Sequence, residues 1–408
     1  MTDQPTASVR FVRLMAQRLH EYGAGAHRLE GAVKSVGERL GLEVEVFSSP
    51  TSMFLTFREV GADPDDVLLP TQLLRLNPGE DDLGRLCAVD AVSEAVADGS
   101  LSVAEGAAEL KQIAQPVKES PLPVLTAWGI VGMTVAGLLG GNWVDIGLAA
   151  GLAVLTGFVS LRSARLLELG SFEPIAAFLV TVLAYLGATW LGGSNVPHIV
   201  VGALIVLMPG LSLTMAITEL STRHLASGTA RFAGAVVGLV KLALGVVMAT
   251  QLMNLLGFTQ LTVAVDPVSS PWFTWPSIVL VGLAFGVLFK ARPSDYPAMA
   301  LAGLLAFTVN KLAGDALGAD VGVFFAAFAV AALSNLYSRA LRRPASVMRL
   351  PGVILLVPGS LGYRSLTLMF SDNVNDGLAA AVAVATVLAA LVAGLLLGNT
   401  VVPPRRHL

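Results

Sequence analysis

Residues 204–211 read LIVLMPGL and residues 353–360 read VILLVPGS. In each stretch a Pro-Gly pair interrupts an apolar run long enough to belong to a membrane-spanning helix. Proline removes one backbone hydrogen bond and its ring clashes with the preceding turn, while glycine admits conformations that other residues avoid. Backbone groups freed in this way cannot face lipid, so they must meet protein, water or a solute. Setting Pro209 on Pro358 and Gly210 on Gly359 fixes an offset of 149 residues, and the same offset carries Leu122, where the first apolar block opens, to Pro271, where the sixth opens. The chain therefore reads as two halves of five spans each. Five is odd, so the second half must enter the membrane upside down relative to the first. Such inverted repeats recur in secondary transporters, which hold their solute near mid-membrane where helices are broken.

Composition supports the membrane reading. The chain has 408 residues, 54% of them hydrophobic and 13% charged, with a mean hydropathy of +0.72. A soluble domain carries about 25% charged residues. The apolar blocks fall at 122–141, 144–161, 173–192, 196–218, 232–256, 272–290, 297–314, 320–339, 350–370 and 377–402, each long enough to cross as a helix. Between them, basic residues fall on alternate sides: Arg162 and Arg165, Arg223 and Arg231, Lys290 and Arg292, the group from Arg339 to Arg349, and Arg405 and Arg406. The loops after spans 1, 3, 5, 7 and 9 hold no Lys or Arg, so the positive-inside rule puts both termini in the cytoplasm. Trp143, Trp190, Trp272 and Trp275 gather at the opposite ends, as interfacial anchors do.

The expected architecture is thus an α-helical polytopic membrane protein. Residues 1–120 form a small α+β cytosolic domain, 121–257 a first five-helix repeat, and 271–408 an inverted second one. Met1–Arg13 holds no apolar run of signal-peptide length, so the leading domain is expected to stay in the cytoplasm. In that domain, helical periodicity over 9–40 is broken by YGAGAHRLE at Tyr22–Glu30. EVEVF (Glu43–Phe47), SMFLTFR (Ser52–Arg58) and VLLPTQLLRL (Val67–Leu76) read as strands, with Pro70 suited to an edge. Residues 83–98 read as a helix ending at Asp98-Gly99, and Ser102 with Glu105 makes a capping-box start for another that runs to about Gln115. The lone Cys87 cannot form an internal disulfide and suits a buried structural thiol. A net charge of −3 gives no hint of a nucleic-acid partner, and neither the histidines nor the single cysteine show ligand spacing, so no metal or cofactor is expected.

Several polar residues stand inside the apolar blocks. Pro209 lies about ten residues from the outer end of its span and Pro358 about eight from the inner end of its own, so both are near mid-depth at about 1.5 Å per residue. Ser212, Thr214 and Ser360 flank the breaks and are candidates, with Pro209, Gly210, Pro358 and Gly359, to line a polar cavity. Hydroxyls bonded back to their own helix are the plainer alternative. Arg364 follows Pro358 by six residues and costs about 2.5–3.5 kcal/mol to insert, so it should face a cavity or a partner such as Glu219. It suits a substrate carboxylate through a bidentate pair. Glu219 is a proton-coupling candidate, with a solvated helix-end glutamate as the alternative; Lys241 is a second candidate. Lys311 near an outer end suits snorkelling. GxxxG spacings at Gly137/Gly141, Gly147/Gly151, Gly234/Gly238 and Gly282/Gly286 suggest close helix packing.

These segments resemble the threonine/serine exporter (ThrE-type) family along nearly the whole chain. The likeness lies in Tyr22–Phe57, in DGSLSVAEGAAEL at Asp98–Leu110, and in LMPGLSLTMAITEL at Leu207–Leu220 followed by Arg231. Glu219 departs from the aspartate expected at that place. The resemblance implies an inner-membrane protein that exports L-threonine and L-serine, proton-driven, with a small amino acid and lipid as partners and room for a homo-oligomer. Some relatives are associated with dicarboxylate (succinate) export. Other classes stay open at this point: a channel, or a membrane enzyme or sensor worked by the cytosolic domain, although residues 1–120 offer no nucleophile pair, paired carboxylates or phosphate loop.

Overall fold

The computed structural model describes residues 3–61, 71–116, 120–192, 194–258, 268, 270–370 and 374–404. The leading domain is built from α1 (Asp3–Glu21), α2 (Ala26–Arg39), β1 (Leu42–Ser49), β2 (Ser52–Glu59), β3 (Gln72–Arg75), α3 (Leu83–Ala97) and α4 (Val103–Ile113). The break inside YGAGAHRLE is confined to its first residues, because Ala26 already opens α2. Strands β1 and β2 make an antiparallel hairpin with Ser49 opposite Ser52, and β3 adds antiparallel to β2. Leu42, Val44 and Val46 alternate inward with Met53, Leu55 and Phe57, while Glu43 and Glu45 point out. The inward row covers α1 and α2 through Phe11, Met15, Leu29 and Val33. The Val67–Pro70 part of the expected third strand lies outside the described residues. Asp82 caps α3 by accepting the Arg85 amide at 2.9 Å, and Ser102 and Glu105 form the expected capping box on α4. Cys87 is buried and free of disulfide, and burial pushes its thiol up to about 12.

The bundle comprises α5 (Pro121–Leu138), α6 (Trp143–Arg162), the short α7 (Ala164–Glu168), α8 (Phe172–Leu191), α9 (Val196–Leu204), α10 (Gly210–Ser221), α11 (Leu225–Leu255), α12 (Pro271–Leu288), α13 (Tyr296–Leu317), α14 (Ala319–Leu341), α15 (Ser346–Ile354), α16 (Gly359–Phe370) and α17 (Val374–Val401). Among the described residues, nine segments are long and apolar enough to cross a membrane, and a tenth is the pair α9–α10, bent by 54°. This is a multi-pass membrane protein. The fifth span differs from expectation: α11 starts at Leu225, runs for 31 residues and carries Arg231 on its first turns. Helices α5 and α12 pack on each other, α8 on α11, and α14 on α17.

Not all of the glycine spacings serve packing. A β-carbon on Gly137 would sit 2.4 Å from the Phe273 ring, and one on Gly282 2.8 Å from the Ala300 backbone. Gly147, Gly151 and Gly234, by contrast, would meet nothing within 4 Å. They face outward from the bundle, because nothing in the spacing alone says which side of a helix a neighbour occupies.

The domain is docked on one end of the bundle, formed by the turns α10–α11 and α12–α13. The first amides of α3, on Leu83 and Gly84, donate to the Phe289 and Lys290 carbonyls at 2.9 and 3.1 Å. One helix start thus satisfies the end of another, since the opening N–H groups and closing carbonyls of a helix lack partners within it. A single hydrophobic core runs through the joint, from Leu83, Leu86 and Val89 to Ala127, Val281, Phe285 and Val347.

Candidate functional site

The two Pro-Gly breaks meet at the centre of the bundle. After α9 the chain makes a short 3-10 turn at Ile205–Leu207, extends at Met208, and restarts as α10 at Gly210. Residues 355–358 likewise separate α15 from α16. A β-carbon built on Gly210 would lie 2.3 Å from Val357 Cγ1 and 3.3 Å from the Gly359 Cα, and one on Gly359 would lie 3.4 Å from the Gly210 Cα. Only residues without side chains allow backbones to approach this closely. Two helix starts, each carrying the positive end of a helix dipole, therefore converge on one point, an arrangement that favours negative charge.

Cavities lie on both sides of this crossing. On the far side, away from the domain, a cavity of about 590 Å³ is bounded by Thr181, Asn195, His198, Thr250, Ser360 and Arg364. A neighbouring one of about 420 Å³ is bounded by Asn310, Lys311, Pro358 and Ser360, so Ser360 borders both. On the domain side only about 80 Å³ remains in a narrow pocket between the domain and the bundle. Its walls come from Tyr22–Gly25, His27, Arg28 and Asp81 of the domain and from Thr214, Thr218, Ser346, Arg349 and Asn399 of the bundle.

The polar chemistry of the narrow pocket is unusual. Arg349 Nη2 donates to both Asn335 and Asn399 Oδ1 at 2.8 Å, and Asn335 in turn donates to Asn399 at 3.0 Å. That network ties α14, α15 and α17 while Arg349 Nε stays buried without a partner among the described residues, as do Ser346 Oγ and His27 Nδ1. Burial raises the Asp81 carboxyl to about 6, partly opposed by Arg231 and helped by Glu80. Burial, with Arg28, His224 and Arg231 adding to it, lowers His27 to about 3, so its ring is neutral. Burial alone lowers Arg28, to about 10.

Glu219 follows Thr218, which lines this pocket, and its own side chain is fully buried. It accepts from the Ala26 amide at 3.0 Å, from Ser227 Oγ at 2.8 Å and from Arg231 at 3.3 Å. The solvated glutamate considered from sequence is thus corrected: the domain lies over the helix end and excludes water from it. The same contacts correct the idea that Arg364 pairs with Glu219, since Arg231 fills that role and Arg364 lines the far cavity instead.

The other sequence candidates divide between the two sides. Pro209 and Gly210, with Pro358 and Gly359, form the crossing itself. Thr214 lines the domain-side pocket, although its hydroxyl also donates back to the Gly210 carbonyl at 3.3 Å. Ser360 faces the far side, and Ser212 is half-buried on α10 without bordering these cavities. Lys241 is less isolated than its position in the fifth span suggests. Because α11 begins early, the side chain reaches the turn before α8, donating to the Gly170 carbonyl at 2.8 Å with Glu173 3.8 Å away. Lys311 pairs with Asp315 at 3.2 Å in an exposed position. Sequence reasoning missed Arg349, counted there as a loop cation, and with it Asn335 and Asn399. It quoted His27 and Arg28 within YGAGAHRLE without giving them a role. The usable signal was the proximity of Arg349 to the second Pro-Gly break.

A family profile described as "Putative threonine/serine exporter" matches residues 10–253, and a second, "Threonine/Serine exporter, ThrE", matches 277–401. The fold is that of a multi-pass membrane protein. The chain belongs to the threonine/serine exporter family. Among curated proteins it is 26% identical over 377 residues to pheromone-regulated membrane protein 10 of Kluyveromyces lactis, covering 90% of this chain and 39% of that protein. The Saccharomyces cerevisiae and Eremothecium gossypii proteins of the same name are 25% and 24% identical, again over 90% of this chain, and are covered to 48% and 50%. The chain thus spans half or less of the length of these relatives. No solved structure matches it.

Proposed function

We propose that this chain is a secondary transporter that exports small polar amino acids, L-threonine and L-serine among them, with the docked domain on the cytoplasmic side of a plasma membrane. The observation that carries the reading is the contact of two broken spans at Gly210 and Gly359, with a cavity on either side of it. A solute crossing the bundle would meet its one constriction there. Opposed helix starts would hold a carboxylate, and on the far side Arg364 would receive it next.

Inverted halves, 121–257 and 271–408, are supported by more than the Pro-Gly offset. Asp145 accepts the Asn195 amide at 2.8 Å just before α9, and Asp295, 150 residues later, accepts from Arg343 just before α15. Gly245 presses on the Pro174 carbonyl as Gly394 presses on that of Phe324. Glu219 is the better of the two proton-coupling candidates, because its contact with the Ala26 amide would have to change if the domain moved. Lys241 is engaged elsewhere.

The test is counterflow in proteoliposomes loaded with L-serine, L-threonine or succinate. Accelerated uptake of labelled serine or threonine, further driven by an imposed pH gradient, is the expected result. Preference for succinate would move the assignment to dicarboxylates, and uptake equal to protein-free liposomes would end it.

A further inference from the structure

The pocket under the crossing holds more hydrogen-bonding capacity than the protein itself uses. Arg349 Nε, Ser346 Oγ and His27 Nδ1 are buried without partners, and all three residues border the same small space. An unsatisfied buried polar group costs about 1–3 kcal/mol, so three in one place ask for a ligand. Two cations, Arg28 and Arg349, face this space from opposite sides of the joint between domain and bundle, and one carboxyl, Asp81, accompanies them. Arg28 and Asp81 both line this space, yet no ion pair joins them among the described residues. Opposite charges held apart in a small pocket match a small molecule that carries both.

We propose that this pocket is the domain-side binding site for a small α-amino acid, and that the soluble domain supplies half of its polar wall. The carboxylate is received by Arg349, Ser346 and Arg28, and the ammonium by Asp81. A carboxylate offers lone pairs enough for all three donors, and a guanidinium already fixed by Asn335 and Asn399 presents the others with little loss of freedom. Asp81 sets the class: it attracts an ammonium and repels a second carboxylate. The inference rests on the transport reading but goes further, because it makes the domain a part of the binding site. Release of solute toward the crossing then leaves the domain contacts intact, whereas loading from the domain side requires the joint at Glu219 and Ala26 to open.

The experiment is calorimetric titration of the full chain in nanodiscs with L-serine and with glycerate, which replaces the ammonium by a hydroxyl. Wild type should bind serine in preference to glycerate. Arg28→Gln should weaken serine at least about tenfold, and Arg28→Lys should restore part of the loss, which a purely structural role would not do. Asp81→Asn should erase the preference for serine while leaving glycerate affinity unchanged. If both Arg28→Gln and Asp81→Asn bind serine as wild type does, while wild-type counterflow proceeds, the pocket assignment is overturned and the transport reading stands. If wild-type counterflow is also absent, both fail. Succinate binding more tightly than serine, and more tightly still in Asp81→Asn, overturns the amino-acid class.

Discussion

The two sides of the Gly210–Gly359 crossing differ in what encloses them. The far cavities are wide, bordered by helices of the bundle alone, and their chief cation, Arg364, is exposed. The domain-side pocket is smaller by several-fold, and its cations are held in a network or under the docked domain. Alternating access needs two half-channels that are not open together. Here the narrow side takes part of its wall from the soluble domain, and the far cavities do not, so the difference between the two sides lies in the first 120 residues. Variants that act on one side only are the way to test this.

The largest effect is expected at the joint. Glu219→Ala removes one partner of a buried ion pair and leaves Arg231 and the Ala26 amide without an acceptor, which costs about 3–5 kcal/mol. Hydrogen exchange should report faster opening of α2 and α3, with the far-side helices α8 and α16 unchanged. Protection of α2 equal to wild type would show that the domain is not held at Glu219. Next comes the crossing itself. Gly210→Val puts a side chain where Val357 and Gly359 already stand, an overpacking cost of about 1–3 kcal/mol. If the crossing is the solute path, a barrier raised by 2–3 kcal/mol slows counterflow by about 30- to 150-fold. Flux within a factor of two of wild type would put the path elsewhere.

These two sites were unequally legible in the sequence. The spans, the domain boundary near residue 120 and the Pro-Gly breaks follow from apolar run length, charge alternation and two residue types that cannot continue a helix. Those are local properties. That Gly210 and Gly359 touch is not local, although each sits in a Pro-Gly pair whose freed backbone groups have to meet protein, water or a solute. The docking of the domain left no such trace. Ala26 and Glu219 are 193 residues apart and neither is unusual in its own segment. Arg349 looked like one more positive-inside loop residue because its neighbours Arg339, Arg342 and Arg343 are of that kind. Beyond its nearness to the second Pro-Gly break, what sets Arg349 apart is the packing of α14 and α17 against α15, with Asn335 and Asn399 presented to it.

On the far side, Arg364→Gln should raise the KM for far-side solute about tenfold, the worth of one lost charge-assisted pair, and leave domain-side binding of serine in nanodiscs unchanged. Equal loss on both sides would merge the two cavities into one site. Acidification should act on the opposite side. The folded-state value of His27 is about 3 against 6.5 unfolded, so the unfolded or undocked chain takes up the proton first. The stabilisation is complete above pH 6.5 and is lost as pH falls from 6.5 toward 3, by at most about 1.4 kcal/mol per pH unit. His20, also lowered by burial, acts in the same sense. His27→Gln should flatten the fall in domain melting temperature between pH 7 and 5, and an unchanged slope would remove His27 as its source.

The smallest effect tests a residue that the sequence favoured and the structure does not. Lys241 spends its ammonium on the Gly170 carbonyl, in the turn leading into α8, and lies near Glu173 in the first turn of α8. It is about a third exposed, so the ion pair is screened and its loss costs about 0.2–1 kcal/mol. Lys241→Gln keeps a donor for the Gly170 carbonyl and should leave both melting temperature and the pH-gradient dependence of uptake close to wild type. Glu219→Gln, which keeps the shape of the carboxylate but cannot take up a proton, should abolish that dependence. Reversal of this ranking, with Lys241→Gln uncoupled and Glu219→Gln still driven by the gradient, would shift proton coupling away from the domain joint and toward the α8–α11 face, and the closure of the narrow side would then have no part in energising transport.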